Sequence, residues 1–273
     1  MNDYLQNLHT HCAFDDGKDE MEKVVQKAIA LGFHSLGFSC HSPMAHSKEV
    51  FLTDEKIVEY FKTLDLLKRK YEGAITLYRG IERDCCSLKT DYSPYDFVIG
   101  TVHYFNLNGE MVGFDRNAQT VRTVIDKYFE GDGLKYAKAY YEAMAKMPTL
   151  ERTDIVGHFD LIAKHSESER FFDEESAQYR RYAIDAIDCI MKTVSVFEVN
   201  TGAMARGYRT TPYPAPFIMR ALKNRKARLI ISSDCHDAEK LNYGFSDALK
   251  YIESFGFKEV YYFKNGQFEG AKL

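Results

Sequence analysis

The chain has 273 residues, 36 Lys+Arg against 40 Asp+Glu, a formal net charge of −4 and 45% hydrophobic residues. That apolar content suffices for a full core, and the mild acidity gives no basic field to gather nucleic acid. No run approaches 18 apolar residues, so nothing reads as a membrane span. The opening "MNDYLQNLHTH" has no basic stretch leading into an apolar run, so a cytoplasmic location with six reduced cysteines is expected.

Strand-like and helix-like stretches alternate along the chain. "YLQNLH" (4–9) reads as a strand ending at His9, and His11 follows two residues on. "DEMEKVVQKAIALG" (19–32) has apolar residues at helical spacing and stops on Gly32. A strand at 35–41 ends on His41. A helix at 53–73 opens on a Thr cap with acids and closes on bases before Gly73. Strands at 75–82 and 96–103 end on Glu82 and His103. The excursion 104–153 holds two helical patterns, 117–130 and 134–147. A strand at 154–158 ends on His158, a helix is expected at 173–193, and a strand at 195–200 ends on Asn200. The Pro-rich "RTTPYPAP" (209–216) reads as a loop over the site, overlapping the start of a helix at 214–225. A strand at 228–234 ends on Asp234, with His236 beyond it. A helix at 238–255 and a strand at 259–263 complete the pattern.

Strands separated by helices imply parallel pairing through helical crossovers. Seven or eight such units suggest an α/β barrel in one domain, 1–273, with no interdomain linker. An open doubly wound sheet would carry a Gly-rich turn after its first strand, and "HTHCAFDDG" is not one.

Residues i and i+2 of a strand share a face, so His9 and His11 project together. Six of the nine histidines (His9, His11, His41, His103, His158 and His236) fall at strand ends, as do Glu82 and Asp234. In a parallel barrel these ends converge on the face where active sites lie. Burying so many imidazoles is costly unless they bind something. Imidazoles with carboxylates suit Zn, Mn or Fe. The set exceeds the needs of one ion, so two or three divalent transition-metal ions are expected, with Glu82 as a bridge. No Cys-x-x-Cys occurs, and Cys12, Cys40 and Cys235 are expected to pack beside the site rather than ligate. His34 belongs to the opposite rim, His165 reads as solvated, and His46 is a candidate for a substrate contact.

The ordered set "HTH", "DDG", "CHS", "GIERD", "TVH", "VGHFD" and "SSDCH" resembles the PHP (polymerase and histidinol phosphatase) superfamily over nearly the whole chain. "YDFVIGTVHY", "DIVGHFDLI", "FEVNT" and "ISSDCHD" are most similar to its histidinol-phosphate phosphatase branch. The resemblance implies a distorted (β/α)7 TIM-like barrel with three metal ions. One would take His9, His11, Glu82 and Asp234. A second would share Glu82 and take His103 and His158. The third would take Asp16, His41 and His236. Many members have a histidine where this chain offers Asp15 or Asp16, and Asp16 is preferred here.

The expected activity is a metal-dependent phosphatase acting on a small phosphate ester. The implied substrate is L-histidinol phosphate, a late step of histidine biosynthesis. A hydroxide bridging the first two ions would attack, with Asp234 carrying the proton. Arg206, Arg209 and Arg83 are candidates for the phosphate, and Asn200 for substrate or a loop cap. Asp115 and Asp160 are candidates for an ammonium group. Tyr104, Phe105, Phe114 and Tyr208 are candidates for packing on an imidazole. Two other readings stay open: a PHP phosphoesterase acting on phosphotyrosine or nucleotides, and a non-catalytic metal-binding module. Metal-dependent amidohydrolases are disfavoured, because they usually carry Lys or a carboxylate where this chain has His103.

Overall fold

The computed structural model describes residues 5–45 and 50–273. His46 lies outside them. Strand β1 (Gln6–Asn7) is followed by helix α1 (Met21–Ala30), strand β2 (Ser35–Phe38) and helix α2 (Asp54–Lys70). Strands β3 (Thr76–Asp84) and β4 (Phe97–Thr101) come next. The excursion consists of a hairpin, β5 (Tyr104–Leu107) and β6 (Glu110–Gly113), and helices α3 (Ala118–Tyr128) and α4 (Gly133–Leu150). Then follow β7 (Ile155–Val156), α5 (Ala177–Ile190), β8 (Val196–Asn200), the short α6 (Gly202–Ala205) and α7 (Pro216–Asn224). Strand β9 (Arg228–Ser232), helix α8 (Phe245–Ser254) and a hairpin of β10 (Glu259–Lys264) and β11 (Gln267–Lys272) end the chain. The side chains of Thr53, Asn117, Asp132 and Ser176 accept from first-turn amides of α2 to α5, giving otherwise orphaned donors a partner.

Seven strands pair in parallel in the order β1-β2-β3-β4-β7-β8-β9, a nearly closed α/β barrel. The seam between β1 and β9 is sealed in two ways. Above the strands, His11 N donates to Cys235 O at 2.8 Å and Cys235 N to His9 O at 3.1 Å. Lower down, the Asn7 amide donates to Ser233 Oγ at 2.7 Å. Among the described residues no helix is long and apolar enough to cross a membrane.

Inside the barrel Tyr78, Phe97, Ile99, Ile155, Val196 and Ile230 form one buried cluster, and Phe263 closes it from below. The Phe97 ring fills the interior so closely that a Cβ on Gly80 would meet it at 2.1 Å. A larger cluster lies between the strands and the helices. The site therefore rests on a dry floor at the other end of the barrel.

Three expectations change. Residues 259–263 add no eighth barrel unit: β10 pairs antiparallel with β11, and Gln6 ties this hairpin to the barrel floor through both Phe263 O (2.8 Å) and Phe263 N (2.7 Å). The helix expected over 238–255 splits into a one-turn 3-10 segment, Ala238–Lys240, and α8, because the Asp237 side chain caps the short turn at Glu239 N. The loop 209–216 does not cover the site. Tyr213 is buried and pairs with Asn200 backbone to backbone (3.0 and 2.9 Å), which draws the loop down beside β8.

Candidate metal centre

Side-chain alternation on β3 turns Glu82 inward, and its carboxylate sits at the centre of the strand ends. One oxygen, Oε2, lies 2.9 Å from His41 Nδ1, 3.4 Å from His9 Nε2 and 3.5 Å from His11 Nε2. The other, Oε1, lies 3.0 Å from His158 Nε2 and 3.5 Å from His103 Nε2. Glu82 thus faces two groups of imidazoles with two oxygens. Asp234 Oδ1 closes the first group, 3.6 Å from His9 Nε2 and 3.4 Å from His11 Nε2. A third group forms around Asp16 Oδ1, 3.2 Å from His236 Nε2 and 3.6 Å from His41 Nε2.

These atoms fit metal ions. His9 Nε2, His11 Nε2 and Glu82 Oε2 are buried without a hydrogen-bond partner. Unpaired buried polar atoms are rare, because each costs desolvation free energy. Here they converge, and the clusters have the spacing of ligand sets. The rings are also preset. His9 Nδ1 lies 2.8 Å from Glu198 Oε1, and His11 Nδ1 lies 2.6 Å from Asp15 Oδ2. A carboxylate on Nδ1 keeps the proton there and leaves the Nε2 lone pair for a metal. The arrangement is that of a metal-binding centre.

Electrostatics agree. Burial pushes the His103 ring down, but Glu82, Asp84 and Asp115 outweigh it and raise it to about 9. Burial likewise opposes the charge on His9, yet Glu198, Glu82 and Asp234 hold it well above the usual imidazole range. Burial favours neutral Glu82, but His41, His9, His103 and the His158 bond keep its carboxyl well below the usual range. The carboxylates around Glu82 therefore favour positive charge on His9 and His103, the kind of charge a bound metal ion would supply.

Asp234 has a left-handed backbone, φ 47°, uncommon for a residue with a side chain and frequent at functional sites. Gly202 makes room for it: a Cβ there would lie 2.8 Å from Asp234 Cβ. Arg206 locks the acid, with Nη2 donating to Oδ2 at 2.8 Å and Nη1 to the Asp234 carbonyl at 3.0 Å.

Of Arg206, Arg209, Arg83 and Asn200, only Arg206 lines the cavity of about 240 Å³ beside these groups. Arg83 points the other way, as the neighbour of an inward Glu82 must, and donates to Met147 O and Thr153 Oγ1 behind the wall. Arg209 is spent on Ala163 O at 2.8 Å and packs on the Tyr213 ring. Asn200 is a clasp, donating to Glu198 Oε2 and accepting from Gly202 N. Asp15 supports His11 and His41 N, while Asp16 faces the cavity. Tyr104 and Tyr208 line the cavity, whereas Phe105 and Phe114 are buried in the core. His165 is buried rather than solvated, because its Nε2 donates to Asp115 O. Cys12 and Cys40 pack sulfur to sulfur at 3.4 Å.

Three contributors escaped sequence reasoning. Glu198 underlies His9 and also accepts from His158 N at 3.0 Å. Asp84 supports His103 at Nδ1, 3.4 Å away. Lys164 lines the cavity and pairs with Asp115 at 2.9 Å. Alternation inward from Asn200 was the one available signal for Glu198.

Residues 7–202 match the PHP domain family. A probable histidinol-phosphatase of Schizosaccharomyces pombe is 24% identical, the match covering 94% of this chain and 89% of that protein. The histidinol-phosphatase of Bacillus subtilis is 20% identical over 89% of this chain and 97% of its own. Among solved structures, histidinol phosphate phosphatase of Lactococcus lactis subsp. lactis, complexed with zinc, L-histidinol and phosphate, superposes with a TM-score of 0.73. It is 19% identical, covering 97% of this chain and 98% of that one.

Proposed function

The chain belongs to the PHP domain family, and on that premise we propose that it hydrolyses L-histidinol phosphate to L-histidinol and phosphate. The observation that carries this reading is that the unpartnered His9 and His11 Nε2 atoms meet one oxygen of the buried Glu82 while His158 Nε2 meets the other. The names of the relatives, and the ligands of the Lactococcus enzyme, support the substrate.

Three divalent ions, Zn, Mn or Fe, would be held within one barrel domain spanning the chain. His9, His11, Glu82 and Asp234 would hold the first. Glu82, His103 and His158 would hold the second, and Asp16, His41 and His236 the third. Bound there, such ions supply Lewis acidity that lowers the pKa of water and offsets phosphoryl charge.

The chain's own groups do the rest. Arg206 offers a guanidinium to the phosphate, and Lys164 adds a second positive charge in the cavity. Burial favours a neutral Asp234, but Arg206 and His9 keep it ionised. Unprotonated at the cavity wall, it is our candidate for carrying a proton from the attacking water to the leaving alcohol. Glu198 and Asp15 hold His9 and His11 in the tautomer that this work requires. Phosphate release from a panel of phosphomonoesters, with Mn or Zn present, tests the reading. Histidinol phosphate should rank first. A generic aryl phosphate turned over equally well would leave only a phosphoesterase.

A further inference from the structure

We propose that Cys85 and Cys86 form a two-thiol site that chelates trivalent arsenic, best as an organoarsenical bearing one carbon substituent. The site uses none of the metal-centre groups, and the inference stands independently of the phosphatase reading.

Cys85 and Cys86 follow directly on β3, which ends at Asp84. Within a strand, neighbouring side chains point to opposite faces, and two adjacent thiols would diverge. Here the chain turns instead. Ser87 N donates to Asp84 O at 3.1 Å, which puts both cysteines at the centre of a turn. Their sulfurs stand 3.6 Å apart and face the same carbonyl, Tyr104 O, at 3.6 Å from Cys85 and 3.4 Å from Cys86. The backbone is tied on both sides: Cys85 N donates to Thr101 O at 2.9 Å and Cys86 N to Asp84 Oδ1 at 2.8 Å. The sulfurs are thus already brought together, and chelation has little left to order. Both residues are partly exposed. The other touching pair, Cys12 and Cys40, is fully buried.

The surroundings select the ligand. Soft sulfur ligands favour soft acceptors. Two sulfurs in contact suit a pyramidal centre such as trivalent arsenic, whereas two-coordinate copper(I) holds its sulfurs on opposite sides. Both thiols open on a cavity of about 270 Å³ whose walls include Leu107, Ala139, Ala143 and Leu150. Apolar walls suit a carbon substituent on the arsenic and offer little to a hydrated ion. With phenylarsine oxide the step balances without an oxidant. Two arsenic–sulfur bonds form, two S–H bonds break, and the arsenic-bound oxygen leaves as water with both protons. Arsenic stays trivalent throughout. The Cys86 thiol and burial push the Cys85 thiol up, so it enters this step as a thiol and surrenders its proton to that oxygen.

The test titrates the full metal-loaded chain, kept reduced by a phosphine, with phenylarsine oxide. Elemental analysis after desalting should find about one arsenic per chain, released by a dithiol such as dithiothreitol but not by the same concentration of a monothiol. Cys85→Ser and Cys86→Ser should each weaken binding about 100–10,000-fold, because the second arsenic–sulfur bond is an intramolecular one and is lost with either thiol. Cys189→Ser should bind like wild type. A footprint on the wild type reads the site without any substitution. Brief alkylation of the native protein should label Cys85 and Cys86 when the arsenical is absent and spare both when it is present, as seen in the tryptic peptide 84–89. A wild type that retains no arsenic would overturn the inference. So would full binding by either serine variant, release by a monothiol as readily as by a dithiol, or protection that falls on other cysteines.

Discussion

Replacing Glu198 by Gln removes one charge and almost no volume beneath the imidazole cluster. The residue is fully buried. Its carboxylate meets His9 Nδ1 at 2.8 Å, His158 N at 3.0 Å and Asn200 Nδ2 at 3.0 Å. A carboxylate accepts from all three. An amide has one oxygen, and its NH2 group must face at least one donor. A buried donor left without a partner costs about 1–3 kcal/mol, the expected loss in stability of the metal-free protein. The metal effect is separate. An amide NH2 opposite His9 Nδ1 makes that nitrogen an acceptor. The ring proton then moves to Nε2, the atom aimed at Glu82 and Asp234. Loss of such a support typically weakens metal binding about 10–100-fold, or ~1.4–2.8 kcal/mol. Competition with a coloured chelator reads the affinity, and calorimetry reads the stability. An unchanged metal affinity alongside a lower Tm would refute the proposed role of Glu198 and leave it a packing residue.

Glu82→Ala should abolish turnover while the barrel still folds, since it removes an oxygen from each of two imidazole groups; near-normal kcat with full metal content would contradict the bridge. Gly80→Ala should lower stability by about 1–3 kcal/mol through overpacking against Phe97, seen as a lower Tm, with an unchanged Tm counting against the filled interior. Metal affinity should rise with pH. His103, raised to about 9, holds a proton at neutral pH in the metal-free protein, and each proton displaced adds up to about tenfold in affinity per pH unit below that value. Titrations at pH 6, 7 and 8 showing no such rise would mean that the imidazoles bind no protons to displace.

The histidine-bearing strand ends were legible because histidine is rare and its recurrence at those ends has no packing explanation. Parallel pairing of the strands followed from their alternation with helices. What stayed hidden depended on contacts across the barrel. Glu198 reads in "SVFEVN" like any acid on a half-buried strand, and only the fold sets it under His9. Asp15 and Asp16 are adjacent, and the turn decides which one supports and which one faces the cavity. Arg83 was a different kind of error, since the alternation that turns Glu82 inward already sends its neighbour outward. Residues 259–263 resemble a barrel strand in composition, and only their pairing with β11 sets them at the floor.

The central claim is that the imidazole and carboxylate groups around Glu82 form a multinuclear hydrolytic metal centre. Its most direct test strips the protein with a chelator and restores Mn or Zn stepwise. Bound metal is counted by elemental analysis while phosphate release from L-histidinol phosphate is followed. The stripped protein should be inactive, and activity should return only as more than one ion per chain binds. Full turnover by protein holding no more than trace metal would contradict it.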